Sequence, residues 1–301
     1  MTAAGSVLIT GCSSGIGQAA ALALHEAGRT VVATARNPAT LSGLAGRGLR
    51  TLALDVTDEA SMQAAVDDAG PIDVLVNNAG YGLYGTVEQL PMAEIRRQFE
   101  TNFFGLVRLT QLVLPGMRAA GGGRILNVSS MGGRATLPGG AFYHASKYAV
   151  EALSDALRME VARFGIDVVL IEPGPVRTPW NDVAAGSVAA SAAPGGAAPG
   201  SAANSGAANG SAANGNGSGA DPYAGFKDAV TAAFSTATDG PLARFSSSAD
   251  DIAKVITRAV TARRPRTRYL INPVARTTVT LRRWLPDRAY DAVLRRQYHL
   301  P

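Results

Sequence analysis

The sequence predicts a doubly wound α/β domain, a parallel sheet covered on both faces by helices. Three observations predict it. Short β-branched runs alternate with helix-length stretches from residue 7 to about 183. Those runs are apolar along their length, as strands buried on both faces are. The first run passes through a glycine-rich turn, TGCSSGIG at 10–17, straight into a helix.

The elements follow in order. VLIT (7–10) is the first strand, and a helix over 16–27 is closed by Gly28. TVVATAR (30–36) and TLALDV (51–56) are the second and third strands, and the next helix starts near Asp58, with Asp58 or Thr57 as cap. IDVLVNN (72–78) is the fourth strand. A long helix within 92–119 follows it, interrupted near Pro115. RILNVSS (124–130) is the fifth strand, 142–164 a long helix, and IDVVLIEPG (166–174) the sixth strand. The pattern stops there. Residues 184–220 hold only Ala, Gly, Ser, Asn, Pro and one Val, and read as a flexible, disordered insertion. Order resumes near Tyr223, with a helix over 249–263 and a short strand at 269–271. A helical C-terminal extension, 276–301, is broken at Pro286. The expectation is one domain over 1–301.

Composition removes several classes. A hydrophobic share of 47% against 17% charged residues suits a sizeable core and argues against overall disorder. No run reaches the roughly 18 apolar residues of a membrane span, and the first residues have no basic leader, so a cytoplasmic protein is expected. One cysteine, Cys12, rules out an internal disulfide. Three scattered histidines (His25, His144, His299) show no metal-ligand spacing, so no metal is expected. Residues 245–301 carry 12 Lys and Arg against 4 Asp and Glu, whereas the rest carry 16 against 19. Basicity thus belongs to the tail. Its sequence, RTTVTLRRWLPDRAYDAVLRRQYHL, is amphipathic. We expect its Leu, Trp and Val face to pack on the domain, ahead of a membrane-surface or anionic-partner role. No motif supports nucleic-acid binding.

Two regions carry chemistry. The glycine turn sits where backbone N–H groups at a helix N-terminus attract a dinucleotide pyrophosphate, and Gly11, Gly15 and Gly17 let that backbone approach. At the end of the second strand, where NAD enzymes place a carboxylate for the ribose 2′-OH, this chain has Ala35 and Arg36. A guanidinium there favours the 2′-phosphate of NADP(H), with NAD(H) as the alternative cofactor, and Asn37 adds a donor but no acid. Asp55 is a candidate acceptor for the adenine amino group or a helix cap. In YHASK (143–147), Tyr143 and Lys147 share one helix face. Lowering a phenol by about 3 units takes roughly 4 kcal/mol, which a cation about 4 Å away supplies at an effective dielectric of about 20.

Together with Ser130 and Asn102, these residues make the chain resemble the short-chain dehydrogenase/reductase family, with its Rossmann-like fold. The motifs run in order from Val7 to Trp180: TGCSSGIG, LDVTD, NNAG (77–80), Thr101-Asn102, NVSS, YHASK and PGPVRTPW. Within it, ATARNP, NNAGYGLYG and IEPGPVRTP resemble the 17β-hydroxysteroid-dehydrogenase-like subgroup. The resemblance implies a catalytic tetrad. Tyr143 is its general acid/base, and Lys147 lowers that phenol's pKa and holds the nicotinamide ribose. Ser130 polarises the carbonyl, while Asn102 holds a backbone distortion and a water. It implies cofactor contacts from Gly11, Ser13, Ser14, Gly15, Ile16, Gly17, Arg36, Asp55, Asn78, Ala79, Gly80, Tyr143, Lys147, Pro173, Gly174, Val176 and Thr178. His144 reads as a bystander. The resemblance further implies a homodimer or homotetramer.

Ligands of such sheets bind beyond the carboxyl ends of the strands. The loops there offer Tyr81, Leu83, Tyr84, Met131, Leu137, Phe142 and Trp180, which favours a small hydrophobic carbonyl or alcohol. The expected activity is NADP(H)-dependent carbonyl–alcohol interconversion; the alternative is a non-catalytic NADP(H)-binding regulator of the same fold.

Overall fold

A computed structural model describes residues 5–178, 180–191, 221–239 and 243–300. Its strands are β1 (Ser6–Ile9), β2 (Val31–Ala35), β3 (Arg50–Ala53), β4 (Ile72–Asn77), β5 (Gly123–Val128), β6 (Ile166–Pro173) and β9 (Arg268–Ile271). They form one parallel seven-stranded sheet in the order β3-β2-β1-β4-β5-β6-β9. Chain order reverses between β1 and β4, which is where such sheets open a crevice at their carboxyl ends. A two-stranded parallel ribbon, β7 (Val176–Arg177) with β8 (Ser247–Ser248), lies beyond β6.

Alternate side chains of each strand enter different helical layers. In β1, Val7 and Ile9 pack with α1 (Gly15–Glu26) and α9 (Ala249–Thr261), through Ala20, Leu24, Ile252 and Ile256. Leu8 faces the other way, into α3 (Glu59–Ala69), α5 (Gly105–Ala119) and α6 (Ala141–Val161), through Met62, Leu109, Val113 and Leu157. Each such buried aliphatic side chain contributes about 1.5–3 kcal/mol. This is the doubly wound architecture expected from the alternating runs. A short helix, α2 (Ser42–Ala45), follows a 3₁₀ turn after β2.

Local chemistry sets the element ends. Asp58 caps α3, its Oδ1 accepting from the N–H groups of Ala60 and Ser61 at 2.9 and 3.2 Å. Ser248 and Asp251 form a reciprocal capping box on α9. Asn272, at φ 72°, caps α10 (Pro273–Trp284) by accepting from Ala275 N–H at 2.9 Å. Proline at the first helical position lets that helix begin earlier than residue 276.

Three expectations need correction. The helix between β4 and β5 is interrupted at Glu100–Phe104, a π-turn joining α4 (Met92–Phe99) to α5, and not at Pro115. Pro115 is exposed, so the carbonyl it strips of a partner faces water and the helix continues. Second, the low-complexity segment does not begin at residue 184: α7 (Trp180–Ala190) runs on, with Ala184, Ser187 and Val188 buried. Small side chains form core there because Tyr84, Tyr143 and Val230 supply the bulk. Residues 192–220 of the expected insertion lie outside the described residues, and α8 (Ala224–Asp239) follows them. Third, the tail forms α10 and α11 (Asp287–Gln297), but Trp284 does not pack: it is 74% exposed. Among the described residues no helix is long and apolar enough to cross a membrane.

Candidate active site

The loop after β1 is shaped to expose its backbone. Gly11 and Gly15 sit at φ 70° and 57°, which costs other residues about 1–2 kcal/mol. Gly17 is needed for space: a Cβ there would lie 2.2 Å from the Gly11 carbonyl oxygen and 2.6 Å from Asn78 Nδ2. Ser14 at the N-cap of α1 makes no side-chain capping bond. The donors of the first turn are therefore left to the cavity that Ser13, Ser14, Gly15 and Ile16 line.

Asn78 braces this loop from β4. Its Nδ2 donates to the carbonyls of Thr10 and Gly11 at 2.9 and 3.1 Å. Thr10 Oγ1 in turn accepts from the N–H groups of Asn78 and Ala79 at 3.0 and 2.9 Å. Asn78, Ala79 and Gly80 line the same cavity, as do Pro173, Gly174, Val176 and Thr178 after β6. The Thr178 methyl lies 3.5 Å from where a Cβ on Gly15 would stand, so this residue faces the glycine loop.

Arg36 and Asp55 border the cavity at the ends of β2 and β3. Asp55 is not the helix cap, a role that falls to Asp58. Its Oδ1 instead accepts from the Thr57 N–H and hydroxyl at 2.9 and 2.8 Å. Asn37 uses its Oδ1 to cap the following 3₁₀ turn, accepting from Ala39 N–H at 3.0 Å.

Ser130, Tyr143 and Lys147 meet at the other end. β5 delivers Ser130, whose hydroxyl accepts from Gly132 N–H at 3.0 Å and which borders the same cavity as Tyr143. α6 places Tyr143 and Lys147 one turn apart, both buried. Lys147 Nζ donates to the Val128 carbonyl at 2.9 Å and lies 6.0 Å from the Tyr143 ring centre. Asn102 stands behind Gly80, its Oδ1 3.0 Å from where a Cβ on that glycine would be. It lies in the π-turn, which turns its amide toward Tyr81 and Ser146.

Burial dominates the electrostatics. It pushes the Tyr143 phenol up to about 12, with the Ser130 hydroxyl pulling the other way. It pulls the Lys147 ammonium down to about 8, opposed by Glu151 one turn further along α6. The four-residue spacing predicts that Lys147 lowers the phenol. In the chain alone the shift is upward, because desolvation of the buried phenol is its largest cause. His144, read from the sequence as a bystander on the helix, is buried. It is 1% exposed, places Nδ1 3.1 Å from the Gly132 carbonyl oxygen and is held down to about 4 by burial.

Of the catalytic and cofactor-binding residues expected from the sequence, all except Gly17 and Asn102 border one cavity of 1220 Å³. Beyond Tyr143 it widens between aromatic rings: Trp180 lies 5.2 Å from Tyr143, Tyr84 5.6 Å from Tyr143, and Phe234 4.8 Å from Tyr84, centre to centre. Tyr81, Tyr84, Met131, Leu137 and Trp180 line it as expected. Leu83 and Phe142 do not; they pack with Leu90 and Ile95 in a separate cluster. Val183 of α7, Val230 and Phe234 of α8, and Gln297, Tyr298 and His299 at the end of α11 also line the cavity, none of them singled out from the sequence. A period of four in Phe226, Val230 and Phe234 was the available signal for α8.

The short chain dehydrogenase family model matches residues 5–186. A 3-ketodihydrosphingosine reductase from Bacteroides thetaiotaomicron is 44% identical over 180 residues, 58% of this chain and 65% of that protein. The crystal structure of a short-chain dehydrogenase from Streptomyces avermitilis superposes with a TM-score of 0.71 at 31% identity, covering 97% of this chain and 94% of the other. A gluconate 5-dehydrogenase from Burkholderia cenocepacia, solved with NADP and tartrate, gives a TM-score of 0.56 at 32% identity over 59% of this chain and 73% of its own. With the matching family model spanning more than half of the sequence, the chain belongs to the short-chain dehydrogenase family of oxidoreductases.

Proposed function

We propose that the protein interconverts a carbonyl and an alcohol on a hydrophobic substrate, with NADP(H) as hydride carrier and Tyr143 as proton donor and acceptor. The observation that carries this reading is the convergence of Ser130, Tyr143 and Lys147 on the cavity that runs along the glycine loop to Arg36. The residues fit a dinucleotide: Gly17 leaves no room for a Cβ beneath the loop, and Ser14 leaves the first turn of α1 uncapped. Ser13 to Ile16 and Thr178 would hold the pyrophosphate, and Arg36 the 2′-phosphate. Asp55 would accept from the adenine amino group, with Asn78 to Gly80 forming the floor. Pro173, Gly174 and Val176 would border the nicotinamide, while Tyr143 and Lys147 would take its ribose. When bound, that cofactor supplies or takes up the hydride.

The chain's own groups handle the proton. With its phenol raised to about 12, Tyr143 is protonated at neutral pH and poised to donate to a carbonyl oxygen gaining negative charge. The Ser130 hydroxyl, which borders the same cavity, donates a second hydrogen bond to the same oxygen. Lys147, anchored on the Val128 carbonyl, stabilises the phenolate left behind. Asn102 fixes the turn behind Gly80 and so the floor beneath the reacting groups.

The aromatic walls support an apolar substrate. The Bacteroides relative is named for reducing a keto compound, and the Burkholderia relative was solved with NADP. Following NADPH and NADH oxidation over a panel of ketones tests the reading. Turnover of apolar ketones with NADPH supports it; cofactor binding with no turnover across the panel would identify a regulator instead.

A further inference from the structure

We propose that α10 and α11 dock the molecule on an anionic lipid bilayer, with Trp284 as the inserted anchor. The helix pair is thinly attached to the rest of the fold. In α10 only Ala275 and Val279 are buried, and in α11 only Tyr290, whose hydroxyl donates to the Thr136 carbonyl at 3.2 Å. Apolar side chains remain outside: Leu281 is 37%, Val293 40% and Trp284 74% exposed. An indole left in water forgoes a large burial gain, and an amphipathic ring of this kind is favoured at the headgroup level of a bilayer.

The charge around it points to the partner. Arg276, Arg283, Arg288 and Arg296 are exposed on the same two helices. The acids of the pair are Asp287 and Asp291, and Asp287 is engaged by Arg282 at 2.8 Å. The Arg283 guanidinium lies 5.6 Å over the Trp284 ring, which places a cation beside the exposed indole at the end of α10. Arginines beside an apolar anchor match an anionic bilayer surface. A second copy fits less well, because a two-fold contact here sets these arginines against each other. A nucleic acid supplies the negative charge but no apolar layer for Trp284, Leu281 and Val293.

The same helices reach the substrate site. Val274 and Thr278 of α10, with Gln297, Tyr298 and His299 at the end of α11, line the cavity. Docking through this pair therefore brings the lipid boundary to the cavity's edge. That last step rests on the apolar-substrate reading above; the docking itself does not.

The test needs no turnover. Full-length protein is co-sedimented with phosphatidylcholine vesicles with and without phosphatidylglycerol, and indole quenching is read with brominated lipid. Binding to the phosphatidylglycerol vesicles that weakens with salt is expected, with Trp284 quenched in the wild type and the signal lost in Trp284→Phe. Arg283→Gln and Arg288→Gln should each weaken partitioning about fivefold, and Trp284→Ser should weaken it further, with circular dichroism unchanged in all three. Three outcomes would overturn the proposal: equal binding, or none, on the two vesicle types; full retention by Trp284→Ser; and a wild-type dimer or DNA complex that these substitutions abolish while vesicles are ignored.

Discussion

Asn102 and Tyr81 hold each other through both backbone groups of the tyrosine. Tyr81 N–H donates to Asn102 Oδ1 at 3.0 Å, and Asn102 Nδ2 donates back to the Tyr81 carbonyl at 2.9 Å. The same Nδ2 also donates to Ser146 Oγ at 3.1 Å, tying the π-turn to α6 between Tyr143 and Lys147. One amide thus joins the loop after β4, the widened helical turn and the helix that carries Tyr143 and Lys147.

Asn102→Ala removes these three bonds from a buried site. At about 0.5–1.5 kcal/mol each, it should lower unfolding free energy by about 1.5–4.5 kcal/mol. Urea denaturation measures this. A loss below about 0.5 kcal/mol, the range of an ordinary surface substitution, would show that the amide does not hold the turn.

Tyr143→Phe keeps the ring between Tyr84 and Trp180 and removes only the hydroxyl proposed to carry the proton. Turnover should fall by about a hundredfold or more, while NADPH affinity, read by fluorescence titration, stays within about twofold of wild type (a difference under 0.5 kcal/mol). Turnover at the wild-type rate would remove Tyr143 from the proposed role.

Arg36→Asp exchanges a cation for a carboxylate at the cavity's border. The kcat/KM for NADPH should fall about ten- to a hundredfold, the loss of a charged hydrogen bond, and preference should move toward NADH. An unchanged NADPH to NADH ratio would place the 2′-phosphate elsewhere.

His144 makes acid sensitivity testable. Its folded pKa of about 4 lies below the ordinary 6.5 because burial disfavours the imidazolium. Above pH 6.5 both folded and unfolded chains hold it neutral, so its contribution is fully present. As pH falls from 6.5 to 4 the unfolded chain takes the proton first and stability is lost, by about 3 kcal/mol over the window. In His144→Asn, urea unfolding between pH 7 and 4 should show a shallower decline by roughly that amount. Parallel curves for variant and wild type would mean that the ring is protonated in the fold.

The sequence by itself determined the strand order's raw material, the glycine loop and the Ser130, Tyr143 and Lys147 set. These rest on local rules: β-branched runs, a helix N-terminus and a four-residue helical spacing act over a few residues. Arg36 and Asp55 were legible for the same reason, since each follows directly from a strand end. Tertiary structure decided the rest. The π-turn at Asn102 arises from bonds to Tyr81 and Ser146, 21 and 44 residues away in the chain. Burial of Ala184 and Val188 depends on bulk supplied by Tyr84 and Val230. The upward shift of Tyr143 comes from desolvation by walls that α7 and α8 contribute, and Trp284 stays outside although Val279 on the same helix is buried. Desolvation and packing are sums over everything that surrounds a group in space, and a residue's neighbours along the chain are only a small part of that sum.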